Sequence, residues 1–259
     1  MFKFTEDEKI FIEKKKYVQC DCYFLPQANF NSGKSSEELI IQNKQYLLSN
    51  DLDLTCSAIN FFSQNISCLD FETLKEIFCI NYEDSFNDDC FDAYDCIEKL
   101  VRKISKCSVF LENTDYAMII VNFLIEFSNL EENQFSITAY KSISNFIFSN
   151  KDVASLLSNE FLIECFNHIQ TFIYEFKCLD NDETVEINDY LSLIESHLQI
   201  FSAMFFHPDL ITEEFSNMVV KCYHDLLDIE SPKDHIFKLK VFIIDNVRCF
   251  AYSAPDESI

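Results

Sequence analysis

Apolar residues recur at spacings of three and four along nearly the whole chain, and hardly anywhere at a spacing of two. Phe91, Tyr94, Ile97, Val101 and Ile104 fall on one stripe of a 3.6-residue helix, and Phe161, Cys165, Ile169, Phe172 and Phe176 fall on another. Tyr116 to Phe127 is apolar nearly all round, which predicts a helix covered on several sides. Start signals precede these runs. Thr5 with Glu8 and Ser35 with Glu38 have capping-box spacing, Asp70 and Thr212 stand before acidic first turns, and Ser231 is followed by Pro232 and then Asp234. The pattern predicts helices over 5–19, 36–49, 53–66, 70–79, 89–107, 114–128, 133–149, 160–177, 184–206, 213–228 and 233–251. With no period-two alternation between turn signals, the class is all-α.

The connections are short and built from Asn, Asp and Ser. Two are longer: Asp21 to Lys34, which holds Pro26 and Gly33, and the strongly acidic Lys177 to Asp189. The expected organisation is a helical array over 35–252 with an acidic insertion near 177–189, capped by an N-terminal helix and linker over 1–34 and ending in a disordered tail over 253–259. The last helix, Asp234 to Tyr252, is more apolar than a good terminal cap, so either a truncated array or a weak end-to-end dimer of an otherwise monomeric chain is expected.

Composition narrows the chemistry. A chain of 259 residues holds a single Gly, where ordinary usage would give roughly 18. Gly33 alone cannot build a phosphate-cradling loop, a dinucleotide fingerprint or a nucleophile elbow. The net charge of −24, from 20 basic and 44 acidic side chains, opposes binding to nucleic acid or anionic lipid. Acids at Glu6, Asp7 and Glu8 stand where a signal peptide needs an apolar run, and the longest apolar stretch, Ala117 to Ile125, is far short of the ~20 residues that span a bilayer. The expected location is the cytoplasm, extending to the nucleus, with the 12 cysteines as reduced thiols.

A repeat emerges when the long helices are aligned on Asn145 and its apolar neighbours. Matching windows centre on Asn60, Arg102, Ala203 and Asn246, at intervals of 42, 43, 58 and 43, and the long interval contains the acidic run. Intervals of about 40–47 with two or three helices per unit belong to armadillo and HEAT arrays. The stretch Ala139 to Asn145, a polar turn, Val153 to Leu157 and Glu160 to Phe166 resembles an armadillo third helix followed by the short first and longer second helices of the next unit. The resemblance implies a right-handed α-solenoid of about five repeats, mostly three helices each. It also implies a concave surface lined by third helices, where an Asn amide, donor and acceptor together, holds an extended peptide.

By that resemblance Asn60, Asn145 and Asn246 are the ladder residues, with Arg102 and Ala203 breaking the series. The other reading is that these residues are solvated or bonded to a neighbouring helix. The sequence departs from the family at two places. Where the family carries Gly between first and second helices, this chain has Asn113 and Asn159, which can adopt a left-handed conformation. Four residues before each ladder position, where peptide-binding members carry Trp, stand Cys56, Glu98, Lys141, Gln199 and Phe242. The aromatic walls that hold lysine stems are therefore missing.

Lys99, Arg102, Lys103 and Lys106 lie on one helical face, with Lys141 one unit along. Such a face favours an acidic or phosphorylated peptide; alternatively it balances Glu98 and the acidic segment Glu83 to Asp95. Cys20-x-Cys22, Cys90-x5-Cys96, Cys165-x2-His168 and Cys222-x-His224 supply no complete four-ligand pattern, and Cys165 with Cys222 take equivalent apolar positions in the repeat. The acidic runs lack the glycine and terminal Glu of a calcium loop. No nucleophile or acid–base pair stands out, so no enzyme, metal or cofactor is expected. The expected role is a scaffold or adaptor that binds a partner's peptide segment, or else a helical subunit that docks through its convex face or ends.

Overall fold

The computed structural model describes residues 36–49, 51–79, 90–128, 133–157, 159–178, 184–229, 237, 239–245 and 247. The fold is all-α, with no strand among the described residues. Along the chain come α1 (Ser36–Leu47), α2 (Leu52–Gln64), a 3-10 turn (Ile66–Cys68), α3 (Phe71–Phe78), α4 (Cys90–Ile104), α5 (Ser108–Glu112) and α6 (Thr114–Phe127). There follow α7 (Asn133–Ser149), α8 (Lys151–Leu156), α9 (Asn159–Cys178), α10 (Thr184–Met204), a 3-10 turn (Pro208–Leu210) and α11 (Glu213–Leu227). One order therefore recurs four times: a long helix, a short helical turn, and a second helix. The expected N-terminal helix over 5–19, the linker to 34, the start signals at Thr5, Ser35 and Ser231, and the tail over 253–259 lie outside the described residues. The acidic run near 177–189 is helical at both ends, Cys178 closing α9 and Thr184 opening α10.

Short polar side chains set the starts. Asp51, Asp70, Asn113 and Thr212 accept hydrogen bonds from the backbone N–H groups of Leu54, Thr73, Tyr116 and Phe215, and Asn150 accepts from both Asp152 and Val153. Asn113 corrects an expectation. It sits in the extended region at φ −89°, ψ 112°, and Asn159 is the first residue of α9, so neither takes the left-handed place of the family's Gly. The Asn113 amide oxygen caps α6 directly, which removes the need for a left-handed residue between the helices.

The chain divides into two compact units, Met1–Leu111 and Glu112–Ile259. In the first, α2 packs most extensively on α4 and also against α1, around Ile59, Phe62, Leu74, Ile77, Ile97 and Leu100, all fully buried. In the second, α7 is the central element, flanked by α6, α8 and α10, while α9 packs on α10 and α11. From Phe135 to Ile147 only Lys141 and Asn145 are half-buried and every other residue is buried. Small side chains make this possible. Ser136, Thr138, Ser142 and Ser144 let neighbours approach closely, and the Ser136 and Ser144 hydroxyls donate to the carbonyls of Ser128 and Lys141 at 2.7 and 2.8 Å.

Asp70 ties α3 to α1 through Lys44, whose ammonium donates to its carboxylate at 2.6 Å. Partial burial alone would raise the Asp70 carboxyl; the bonds from Lys44 and from the hydroxyl and amide of Thr73 outweigh it and hold the group at about 2. A carboxyl depressed in the folded state stabilises above the unfolded pKa and loses that contribution as pH falls through the folded one. Because Asp70 is 58% exposed, screening and the cap's ordinary worth limit its contribution to about 1 kcal/mol. In urea unfolding, Asp70→Ala is expected to cost about that much at pH 7, with the gap to the parent closing between pH 4 and pH 2.

Candidate functional site

The α2–α4 pair carries the first group of expected site residues. The half-buried Asn60 donates its Nδ2 to the Cys96 thiol on α4, the neighbouring helix, at 3.2 Å. Lys103 donates its Nζ to the Ser63 carbonyl at 2.8 Å. That carbonyl belongs to the last turn of α2, where backbone acceptors lack intrahelical partners and a cation is favoured. Arg102 forms an i,i+4 pair with Glu98 at 2.7 Å and remains 52% exposed. Lys99 and Lys106 are exposed on the same stretch. Glu98 thus balances one cation of the face, and another cation closes a helix.

The second group lies on α7. Lys141 and Asn145 are one turn apart and half-buried, and the Asn145 amide makes no hydrogen bond among the described residues. Ala203 on α10 is 4% exposed and belongs to the core. Asn246 lies outside the described residues. Asn60 and the α4 cations therefore come together in the first unit, Lys141 and Asn145 in the second.

Sequence reasoning missed a cluster inside the second unit, where α7, α9 and α10 meet. His197 is fully buried on α10; its Nδ1 lies 2.8 Å from the Leu193 carbonyl, and its Nε2 lies 3.4 Å from Nδ1 of His168 on α9. The Tyr140 hydroxyl on α7 is 3.2 Å from that same His168 nitrogen, and its ring centroid is 3.7 Å from that of His197. His168 is 36% exposed and turns Nε2 toward Glu164 at 4.0 Å. Burial holds His197 near pH 3, the neighbouring His168 adding to that effect against the Leu193 hydrogen bond, so this imidazole is neutral. Burial also pushes the Tyr140 phenol and the Cys165 thiol up, with Cys165 and Glu164 adding to the effect on Tyr140.

A surface groove of about 710 Å³ lies where α11 begins beside α9, lined by Phe166 and Met218 with Glu213, Glu214 and Lys221 at its edge. The Lys221 ammonium sits 5.5 Å from the Phe166 ring centroid. Cys165 and Cys222 are fully buried on these two packed helices, and burial raises both thiols. Among the described residues no group of three or more His, Cys, Asp and Glu side chains is arranged to hold a metal ion, and no helix is long and apolar enough to cross a membrane. Compared with known proteins, the chain gives no match to a family model and no significant match to a curated protein or a solved structure.

Proposed function

We propose that this protein is an armadillo-like scaffold or adaptor, a right-handed solenoid of about five repeats that binds an extended acidic or phosphorylated segment of a partner along its aligned helices. One observation carries the reading. The helices aligned on Asn60 and Arg102 are α2 and α4, those aligned on Asn145 and Ala203 are α7 and α10, and each is the most extensively packed pair of its unit. Side-by-side packing of equivalent helices is what stacked repeats produce. The α9–α11 contact follows the same logic for the second helices. The exposed Lys99, Arg102 and Lys106 supply the charge that an acidic segment needs, and Arg adds planar, bidentate recognition of carboxylate or phosphate.

The test is a binding comparison on an array of acidic and phosphorylated peptides, using the parent chain, Arg102→Glu and Asn145→Ala. Arg102→Glu is expected to weaken captured peptides at least about tenfold, the worth of one charge-assisted contact, and Asn145→Ala to weaken them less. A second reading, docking through the α9–α11 face, is favoured by the Phe166–Met218 groove and by the exposed Ile163, Tyr174 and Val220. Partner capture that survives both substitutions and is lost with Phe166→Ala would select that reading and remove the first.

A further inference from the structure

The geometry points to a divalent-metal site of the zinc or copper class where α7, α9 and α10 converge, with His168 Nδ1, His197 Nε2 and the Tyr140 oxygen as its ligands. The first observation is the separation of the two imidazole nitrogens, 3.4 Å. Two nitrogens about 2.05 Å from a tetrahedral metal stand about 3.3 Å apart, close to the separation here. The rings are 5.5 Å apart between centroids and inclined at 79°, so each nitrogen faces the other edge-on. The phenol oxygen stands 3.2 Å from His168 Nδ1, in the range expected of a third ligand on the same ion.

The second observation is what each imidazole does with its other nitrogen. A metal-binding His usually hands its remaining N–H to a carbonyl or a carboxylate, which fixes tautomer and orientation. His197 Nδ1 has the Leu193 carbonyl at 2.8 Å, which leaves Nε2 as the bare, ligating atom. His168 Nε2 faces Glu164, which leaves Nδ1 for the metal. In the metal-free chain the nitrogen contact requires a proton on His168 Nδ1. Binding displaces it, and His168 passes to the tautomer whose Nε2–H points at Glu164 while the phenol coordinates through its oxygen. The 36% exposure of His168 gives an ion access to the cluster from that side. Two imidazoles with an oxygen donor suit Zn²⁺ and Cu²⁺ rather than Mg²⁺ or Ca²⁺. Among the described residues no third His, Cys, Asp or Glu completes the pair, and the phenol takes that place.

The experiment is titration of the full chain, reduced and stripped with chelator, first with Zn²⁺ and then with Co²⁺ as a spectroscopic stand-in. One Zn²⁺ per chain is expected, its affinity lowered at least about tenfold in His168→Ala, a partly exposed position, and about tenfold in Tyr140→Phe, which keeps the ring packing. The Co²⁺ form is expected to show a visible d–d band without strong near-ultraviolet thiolate charge transfer. Equal Zn²⁺ affinity in the parent and His168→Ala, with both folded by circular dichroism, overturns the assignment. So does a Co²⁺ spectrum dominated by thiolate, which would place the metal on cysteines, and so does the lack of any saturable binding.

Discussion

Truncating Phe146 to alanine is expected to cost about 3–5 kcal/mol in urea unfolding followed by circular dichroism. The ring is fully buried on α7, the helix that α6, α8 and α10 all pack against. Its removal takes apolar surface out of the core and leaves a cavity that three surrounding helices cannot close without moving together. Against a total stability of about 5–15 kcal/mol for a domain this is a large share. Phe237 provides the contrast: at 71% exposed, its replacement by alanine is expected to shift stability by no more than about 0.5 kcal/mol. Equal effects at the two positions would show that α7 is not the centre of its unit.

Reversing Lys99, Arg102 and Lys106 to glutamate together is expected to weaken a captured acidic peptide by about a hundredfold or more, since three charge-assisted contacts at about 1 kcal/mol each are replaced by repulsion. The parent's affinity should fall as salt rises from about 50 to about 500 mM, because exposed charges are screened over about 10 Å or less through most of that range. The reversed chain should show little further salt dependence. Fluorescence anisotropy with a labelled peptide measures both. An affinity flat with salt in the parent chain would mean that the α4 face is balanced internally, as the Arg102–Glu98 pair begins to do. Leaving Lys103 untouched keeps the result about binding, because that side chain also closes α2.

The helices were legible because each long one repeats its apolar stripe over several turns. The periodicity places α7 at 133–149 and α11 at 213–228, against Asn133–Ser149 and Glu213–Leu227 in the structure. The helix α5 and the two 3-10 turns were not, since one turn carries no period to detect. Asn113 was ambiguous for a chemical reason: the same short amide serves a left-handed turn or an N-cap, and only the position of the Tyr116 amide decides. The candidate site was legible where its residues share one helix face, as on α4. It was illegible where the partner comes from elsewhere. Ser63 accepts from a lysine 40 positions on, and His168 meets Tyr140 and His197 across 28 and 29 positions. The Cys165-x2-His168 spacing says nothing of these partners, because Cys165 is buried in the packing while His168, one turn on, reaches the α7–α10 seam.

The bond from Lys103 to the last turn of α2 makes one ammonium both a surface charge and a helix terminator. Acylation of that amine would leave a single N–H able to reach the Ser63 oxygen while abolishing its favourable interaction with the helix dipole, worth about 0.3–1 kcal/mol. A cell that marked this lysine would therefore fray the end of one rod before it altered what the neighbouring rod attracts, and amide exchange at Ser63 and Gln64 would quicken first.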